Sequence, residues 1–499
     1  MPVLSALNTT QIQGLTTTTI AGLTTTEIRS LAATQLEALT TTQVAVLSTT
    51  QIAALTTTQL GALETTDLAV LSSSQIRGLA ATHIAALSTT QVGALTTTQV
   101  GALTATQVAG LQTSDVAALT TTQIGALTST QAAALGTAQV RALETTDLAA
   151  LTTTQLRGLA SSQIAALTTT QLGALSTTQI GGLTTTQLFG LNSTQVSALT
   201  TTQLGALSST QISGLSTVQL RGFDTTDIAG LTTTQIAGLR AVQTAGLTTT
   251  QVAAIETTDL ATLTTTQIFG LSTTQIAALS TTQIGALSTT QVAGLTTRHI
   301  TGLESTDLAA LSTTQIGALS SLQLMVLNTT QLRGLETTDL AVLTTTQLRG
   351  LRASSIGALT TTQIGALTTT QIGSLAATQL LGLTSTQVAA LTTTQIGALA
   401  SSQVAALTTA QLQGLDTTDV AALTTTQVAG LTATQLGSLT TTQIAAVETT
   451  DLAALTTTQI RGLVASQIGA LSTTQVGALT TTQVGALTAT QVAGLQTSD

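Results

Sequence analysis

An eight-residue phrase, Leu-Thr-Thr-Thr-Gln-Ile-Gly-Ala, repeats from Leu7 almost to Asp499, and nothing interrupts it. A fixed short period names an architecture before any single residue does. One octad cannot bury its own leucine and isoleucine, but stacked octads can. The stable object is therefore a solenoid around a column of Leu, Ile, Val and Ala.

The octad at Leu167–Leu175 shows the local grammar. Thr168 followed three residues later by Gln171 is a capping box. The threonine hydroxyl accepts from the backbone N–H three residues on, and the glutamine reaches back to the cap N–H. Leu167, just before the cap, and Leu172 occupy the two positions of a hydrophobic staple. The cap position otherwise takes residues such as Ser, Asn192, Asn328, Asp224 and Asp416, all good caps. It also takes Glu64 and Glu144, which suit the positive end of a helix dipole. Gly and Ala after the isoleucine let backbones approach closely. This grammar predicts an all-α solenoid of very short capped helices. The alternative is a β-solenoid, since Thr, Ile and Val favour strands. On a straight strand, however, the alternating odd spacings of five and three would send successive large apolar residues to opposite faces. One long helix is excluded, because eight residues overshoot two turns of about 7.2 and the apolar stripe drifts around the axis.

Rare residues reveal a longer order. Acidic octads begin at Glu64, Glu144, Asp224, Glu256, Glu304, Glu336, Asp416 and Glu448, with weaker ones at Gln112 and Gln496 that carry Asp115 and Asp499. All ten starts are multiples of 16. Arg29, Arg77, Arg141, Arg157, Arg221, Arg333, Arg349 and Arg461 all leave remainder 13 on division by 16, as do Phe189 and Phe269. The same slot of alternate octads holds small residues, Glu37 and Met325 excepted. This parity predicts a coil of two octads, 16 residues, with one freer side and one packed side. The acidic spacings repeat over 192 residues, and Ser88–Asp115 recurs letter for letter as Ser472–Asp499. Duplication of a block explains this, and a filament needing charges at that spacing is a second explanation. The predicted domains are a lead-in, residues 1–6, and a continuous solenoid, 7–499. The break in mid-octad reads as part of a longer chain.

The best chemical candidate is Glu-Thr-Thr-Asp. Two carboxylates three apart fall far short of the six to eight oxygens that calcium takes, so a charged capping box is the plainer reading. Arg141 and Arg157 bracket Glu144 and Asp147, Arg221 precedes Asp224, and Arg333 and Arg349 bracket Glu336 and Asp339. These ten residues are the expected contacts between coils or between chains, where charge sets register more than affinity. His83 and His299 each stand alone in a glutamine slot and read as tolerated cap substitutions. No phosphate loop, nucleophile elbow or zinc spacing occurs. The expectation is therefore no enzyme, no cofactor and no metal.

Composition narrows the partners. Charged residues are 6% of the chain, the net charge is −9, and lysine and cysteine are absent. This leaves no basic footprint for nucleic acid and a fold independent of redox compartment. Apolar runs are only a few residues long, against about 18 for a membrane span. The start lacks the basic and apolar segments of a secretory signal. A surface coated by threonine and glutamine would supply solubility, with about two threonines per octad left free.

The Leu-Thr-x-x-Gln-Val/Ile/Leu opening is similar to the first helix of the TAL-effector repeat over those few positions; the rest of that repeat is missing, and its DNA reading does not carry over. The whole chain resembles the octapeptide Leu-Thr-Thr-x-Gln-Ile-Ala-Ala arrays of very large bacterial repeat proteins, loosely described as adhesin- or haem-utilisation-like. No axial-ligand pattern for haem accompanies that resemblance. It implies a cell-surface or extracellular role. The reading is a structural protein, a fibre, sheath or adhesin stalk that self-associates. The alternative is a threonine array that binds ice or carries glycans.

Overall fold

The computed structural model describes residues 4–495, and the chain divides into two compact units, Met1–Ile255 and Glu256–Asp499. The octad beginning at Gln496, with Asp499, lies outside the described residues. Each unit is an all-α solenoid. Among the described residues there are 61 short α-helices and one 3-10 turn, Leu4–Ala6, and no strand. The β-solenoid alternative is therefore set aside.

Counting the cap as slot 0, each helix fills slots 1 to about 5 or 6, as in Thr169–Gly173 and Ser161–Ala166. The capping box forms as expected. The Thr168 N–H donates to Gln171 Oε1 at 2.8 Å, and the Gln171 N–H donates to Thr168 Oγ1 at 3.1 Å. The helix ends because the leucine of slot 7 and the next cap are extended: Leu167 lies at φ −61°, ψ 140° and Thr168 at φ −74°, ψ 161°. Among the described residues none has positive φ, so the turns use no left-handed glycine. Helices this short are unstable alone, and packing supplies what propensity lacks. Leu172 and Leu175 are 0% and 3% exposed, and the same two slots line the core throughout both units.

The coil is larger than the parity of the sequence predicts. Helices stack on the third helix along the chain, as Ser129–Ala134 does on Thr153–Gly158. Side-chain bonds between coils join residues 25, 28 and 31 apart. Each octad thus sits across the junction between the third and fourth octads before it, and one coil takes between three and four octads. The physical reason is the link. Two extended residues turn each short helix by less than the half turn that a two-octad coil needs. Octads two apart do not share a side, yet the predicted difference between a freer and a more packed parity is seen at slot 5: Gly61, Gly173, Gly205 and Gly397 have nothing within 4 Å of an added Cβ, whereas one on Gly181, Gly373 or Gly437 would stand 2.8, 2.9 or 2.4 Å from a carbonyl oxygen. Ala45, Ala109, Ala237 and Ala429 of the freer parity are exposed, whereas in the other Ala53, Ala69 and Ala117 are exposed and Ala85, Ala165, Ala229 and Ala405 are half-buried. The sixteen-residue order of the rare residues is not the period of the coil.

Close approach falls mainly on slot 6. A Cβ added to Gly158 would stand 2.6 Å from the Ser129 carbonyl oxygen, and one on Gly110 would stand 2.9 Å from that of Ala81. Slot 5 is looser in places, with open space around Gly61, Gly173 and Gly205. The register also reaches into the lead-in. Gln35 Nε2 donates to the Leu4 and Leu7 carbonyls at 3.1 and 2.7 Å, so Leu4 holds the slot of an isoleucine.

Candidate functional site: the glutamine ladder and the outer face

Slot 3 holds the feature the sequence conceals. The glutamines are buried, not part of the solvent-facing coat: Gln43, Gln123 and Gln235 are 2–3% exposed. The amide has an acceptor and two donors, and all are used. While Gln171 Oε1 accepts from its own cap, its Nε2 donates to Leu143 O at 2.7 Å and Arg141 O at 3.2 Å in the coil below. Gln187 donates to Leu156 O and Leu159 O, both at 2.7 Å. These carbonyls come from slots 4, 5 and 7, at the helix end, where acceptors lack intrahelical partners. One residue type therefore caps its own helix and ties it to the helix below.

Substitution in the cap slot shows which half matters. Ala32, Ala160 and Val464 have no cap oxygen, yet their N–H groups still donate to Gln35, Gln163 and Gln467 at 2.8, 2.5 and 2.8 Å. The signal in the sequence was this contrast. Slot 0 varies freely, while slot 3 takes chiefly Gln, with Asp and His as its main substitutes.

The two histidines reproduce the glutamine pattern. His299 Nδ1 accepts from the Thr296 N–H at 3.2 Å, and Nε2 lies 2.8 Å from Leu271 O. His83 Nδ1 accepts from the Ala80 N–H at 3.1 Å, and its ring also bonds the Leu55 backbone. An acceptor Nδ1 fixes the neutral Nε2–H form, and burial lowers both pKa values. Phe269 meets the His299 ring edge-on at 6.5 Å.

Most of the aspartates keep only the cap. Asp147 and Asp339 are 3% exposed, and each accepts from its cap N–H, that of Glu144 at 3.2 Å and that of Glu336 at 3.0 Å. A carboxylate has no proton to give to the carbonyls below. Some accept a threonine hydroxyl instead: Thr201 Oγ1 donates to Asp227 at 3.0 Å and Thr425 Oγ1 to Asp451 at 2.7 Å, and the second Asp451 oxygen is buried without a partner. Burial raises the pKa of Asp67, Asp115, Asp147, Asp227, Asp307, Asp339 and Asp419.

The predicted charge contacts separate into two kinds. Arg157, Arg221, Arg333 and Arg349 do cross between coils, but to backbone. Their Nε atoms donate to Gly182 O at 2.8 Å, Gly246 O at 2.9 Å, Ala358 O at 3.0 Å and Ser374 O at 2.8 Å, each 25 residues on. These acceptors lie at helix C-terminal ends, where a cation also meets the negative end of the dipole. Asp224 serves as a true cap, accepting from the Asp227 N–H at 2.8 Å. Among the described residues no arginine lies within the 4.0 Å ion-pair distance of a carboxylate, and the Arg141 guanidinium has no hydrogen bond. The outward slots are threonine: Thr168, Thr169 and Thr170 are all exposed, so a capping hydroxyl remains at the surface. No group of three or more His, Asp or Glu residues that could hold a metal occurs among the described residues. In the same residues no helix is long and apolar enough to cross a membrane.

Overlapping matches to the model of the ALTTAQ repeat run over residues 20–209, 252–297, 300–369 and 412–497. The chain belongs to the ALTTAQ repeat family. The stretches between the matches include Arg240, whose octad has Thr244 where others have an isoleucine; Thr244 is 0% exposed. No curated protein matches the chain.

Proposed function

We propose that this ALTTAQ repeat chain is a non-enzymatic structural protein. It serves as an extracellular filament, sheath or adhesin stalk of a bacterial cell, built by coil stacking and by lateral self-association. The observation that supports this reading is the ladder. Nearly every octad commits its single amide to the next coil, and its three outward threonines touch nothing in the core. Such an array adds length and stiffness, because its stability is a sum of nearest-neighbour contacts. The acidic surface argues against nucleic acid as a partner. Negative-stain microscopy over a concentration series tests the proposal. Fibres or laterally paired rods are expected, and short separate monomers at the highest concentration would overturn it.

A second reading has its own support, since in octads such as that of Thr168, Thr169 and Thr170 all three hydroxyl residues are exposed, one more than a capping argument leaves. In it the threonine face is a binding surface for ice or a carrier of glycans. Thermal hysteresis in dilute solution and intact mass of protein from its native source test the two forms. Zero hysteresis together with an unmodified mass rules this reading out.

A further inference from the structure

Ser355 stands in slot 3, where the ladder requires an amide, and Arg352 is its cap. In a regular octad nearby, Gln323 Oε1 accepts from the Ser320 N–H at 2.6 Å, and its Nε2 donates to Val292 O at 3.1 Å and Leu295 O at 2.7 Å. Serine is three heavy atoms shorter and reaches neither side. The equivalent groups here are the Arg352 N–H above and the Leu324 and Leu327 carbonyls below, 31 and 28 residues before Ser355. Among the described residues the Arg352 N–H has no acceptor, and no side chain donates to either carbonyl. A groove of about 430 Å³ lies at this position, lined in part by Met325, Leu327, Asn328, Arg352, Ser354 and Ser355. Ser355 is only 7% exposed and lines this groove, and its hydroxyl has no hydrogen-bond partner among the described residues.

We propose that this notch is a binding site for a primary carboxamide. The ligand oxygen accepts from the Arg352 N–H, and its NH₂ donates to the Leu327 and Leu324 carbonyls. The same bonds are made elsewhere by an intramolecular glutamine. The two facing carbonyls select against an anion of the same shape, because a carboxylate has no donor for them and leaves the Leu327 carbonyl unsatisfied at a cost, while Leu324 O keeps its bond from the Leu327 N–H. The ligand is a small free amide or the side chain of a glutamine on another chain.

The chain has two methionines, Met1 and Met325. The ¹³C-methyl signal of Met325 therefore reports on the groove, and that of Met1 serves as the internal reference. Titration of the full chain with propionamide, which copies the glutamine side chain, should shift Met325 saturably and leave Met1 unmoved. Propionate should shift neither, and Ser355→Gln should abolish the response while raising the thermal midpoint. A peptide of one octad binding at least tenfold more tightly than propionamide identifies a glutamine side chain as the ligand. Equal or weaker peptide binding identifies a free amide. The proposal is overturned by a non-saturating Met325 shift, by a propionate response equal to that of propionamide, or by an unchanged response in Ser355→Gln. If water alone fills the notch, the first of these is observed.

Discussion

The octads at Thr120–Leu127 and Glu144–Leu151 have the same spacing and nearly the same backbone, and they differ at slot 3. Gln123 accepts from the Thr120 N–H at 2.7 Å and donates to Leu95 O at 2.5 Å and Gly93 O at 3.1 Å. Asp147 accepts from the Glu144 N–H and gives nothing to the coil below. The first octad is capped and tied. The second is capped only, and it keeps a carboxyl group in a place that disfavours its charge. Capping and stacking are separable tasks that glutamine performs together, and each acidic octad is a loosened rung in an otherwise uniform ladder.

The strongest way to break this contrast is to convert the first octad into a longer version of the second. Gln123→Glu keeps the cap, removes both donors and buries a charge, at a cost of roughly 3 kcal/mol. In a quasi-one-dimensional array the loss stays local. Hydrogen exchange should accelerate in the helices around Gln123 and not in distant ones; uniform acceleration would contradict the nearest-neighbour picture. The reverse exchange, Asp147→Gln, should stabilise its neighbourhood by about 1–3 kcal/mol at neutral pH through the restored bonds. Packing of slot 6 gives an effect of similar size. Gly158→Ala should destabilise by about 1–3 kcal/mol through overpacking, whereas Gly173→Ala, which faces open space, should be neutral or favourable.

The pH dependence sharpens the comparison. The raised pKa of Asp147 and its six counterparts means that the folded state binds protons more tightly there. Their contribution is full below the unfolded value of 3.8 and is lost as pH rises through the folded values. His83 and His299 act in the opposite sense. Their lowered pKa gives stability that is present above 6.5 and lost as pH falls through the folded values. Urea midpoints measured from pH 3 to 8 should show both limbs. Asp147→Gln should weaken the first and His299→Gln the second; a profile unchanged in both variants would refute the assignment. The smallest effect is expected at Arg157→Ala, about 0.5–1.5 kcal/mol for one hydrogen bond. Because that bond is to the Gly182 carbonyl, the loss should be the same at low and high salt. A loss that vanishes in high salt would indicate an ion pair instead.

Much of this molecule is legible in one octad. The cap at Thr168, the staple of Leu167 with Leu172 and the core role of both apolar slots follow from local rules, and the structure contains them. The size of the coil was not legible, because the parity of Arg and acidic octads is not the period at which the coils close. The ladder was half legible. Gln171 Oε1 acts within its own octad and could be read from spacing, but Nε2 acts on carbonyls 28 and 30 residues away. The arginines were expected to face carboxylates, their nearest charges in sequence, and instead meet carbonyls that only stacking brings beneath them.

The sequence by itself determined the unit, a four- to six-residue capped helix with one apolar edge, because caps, staples and periodicity act over distances shorter than an octad. Tertiary structure alone decided how many octads close a coil and therefore which carbonyl each amide meets. Those depend on the angle of two extended link residues summed over a turn, a quantity that no single repeat contains.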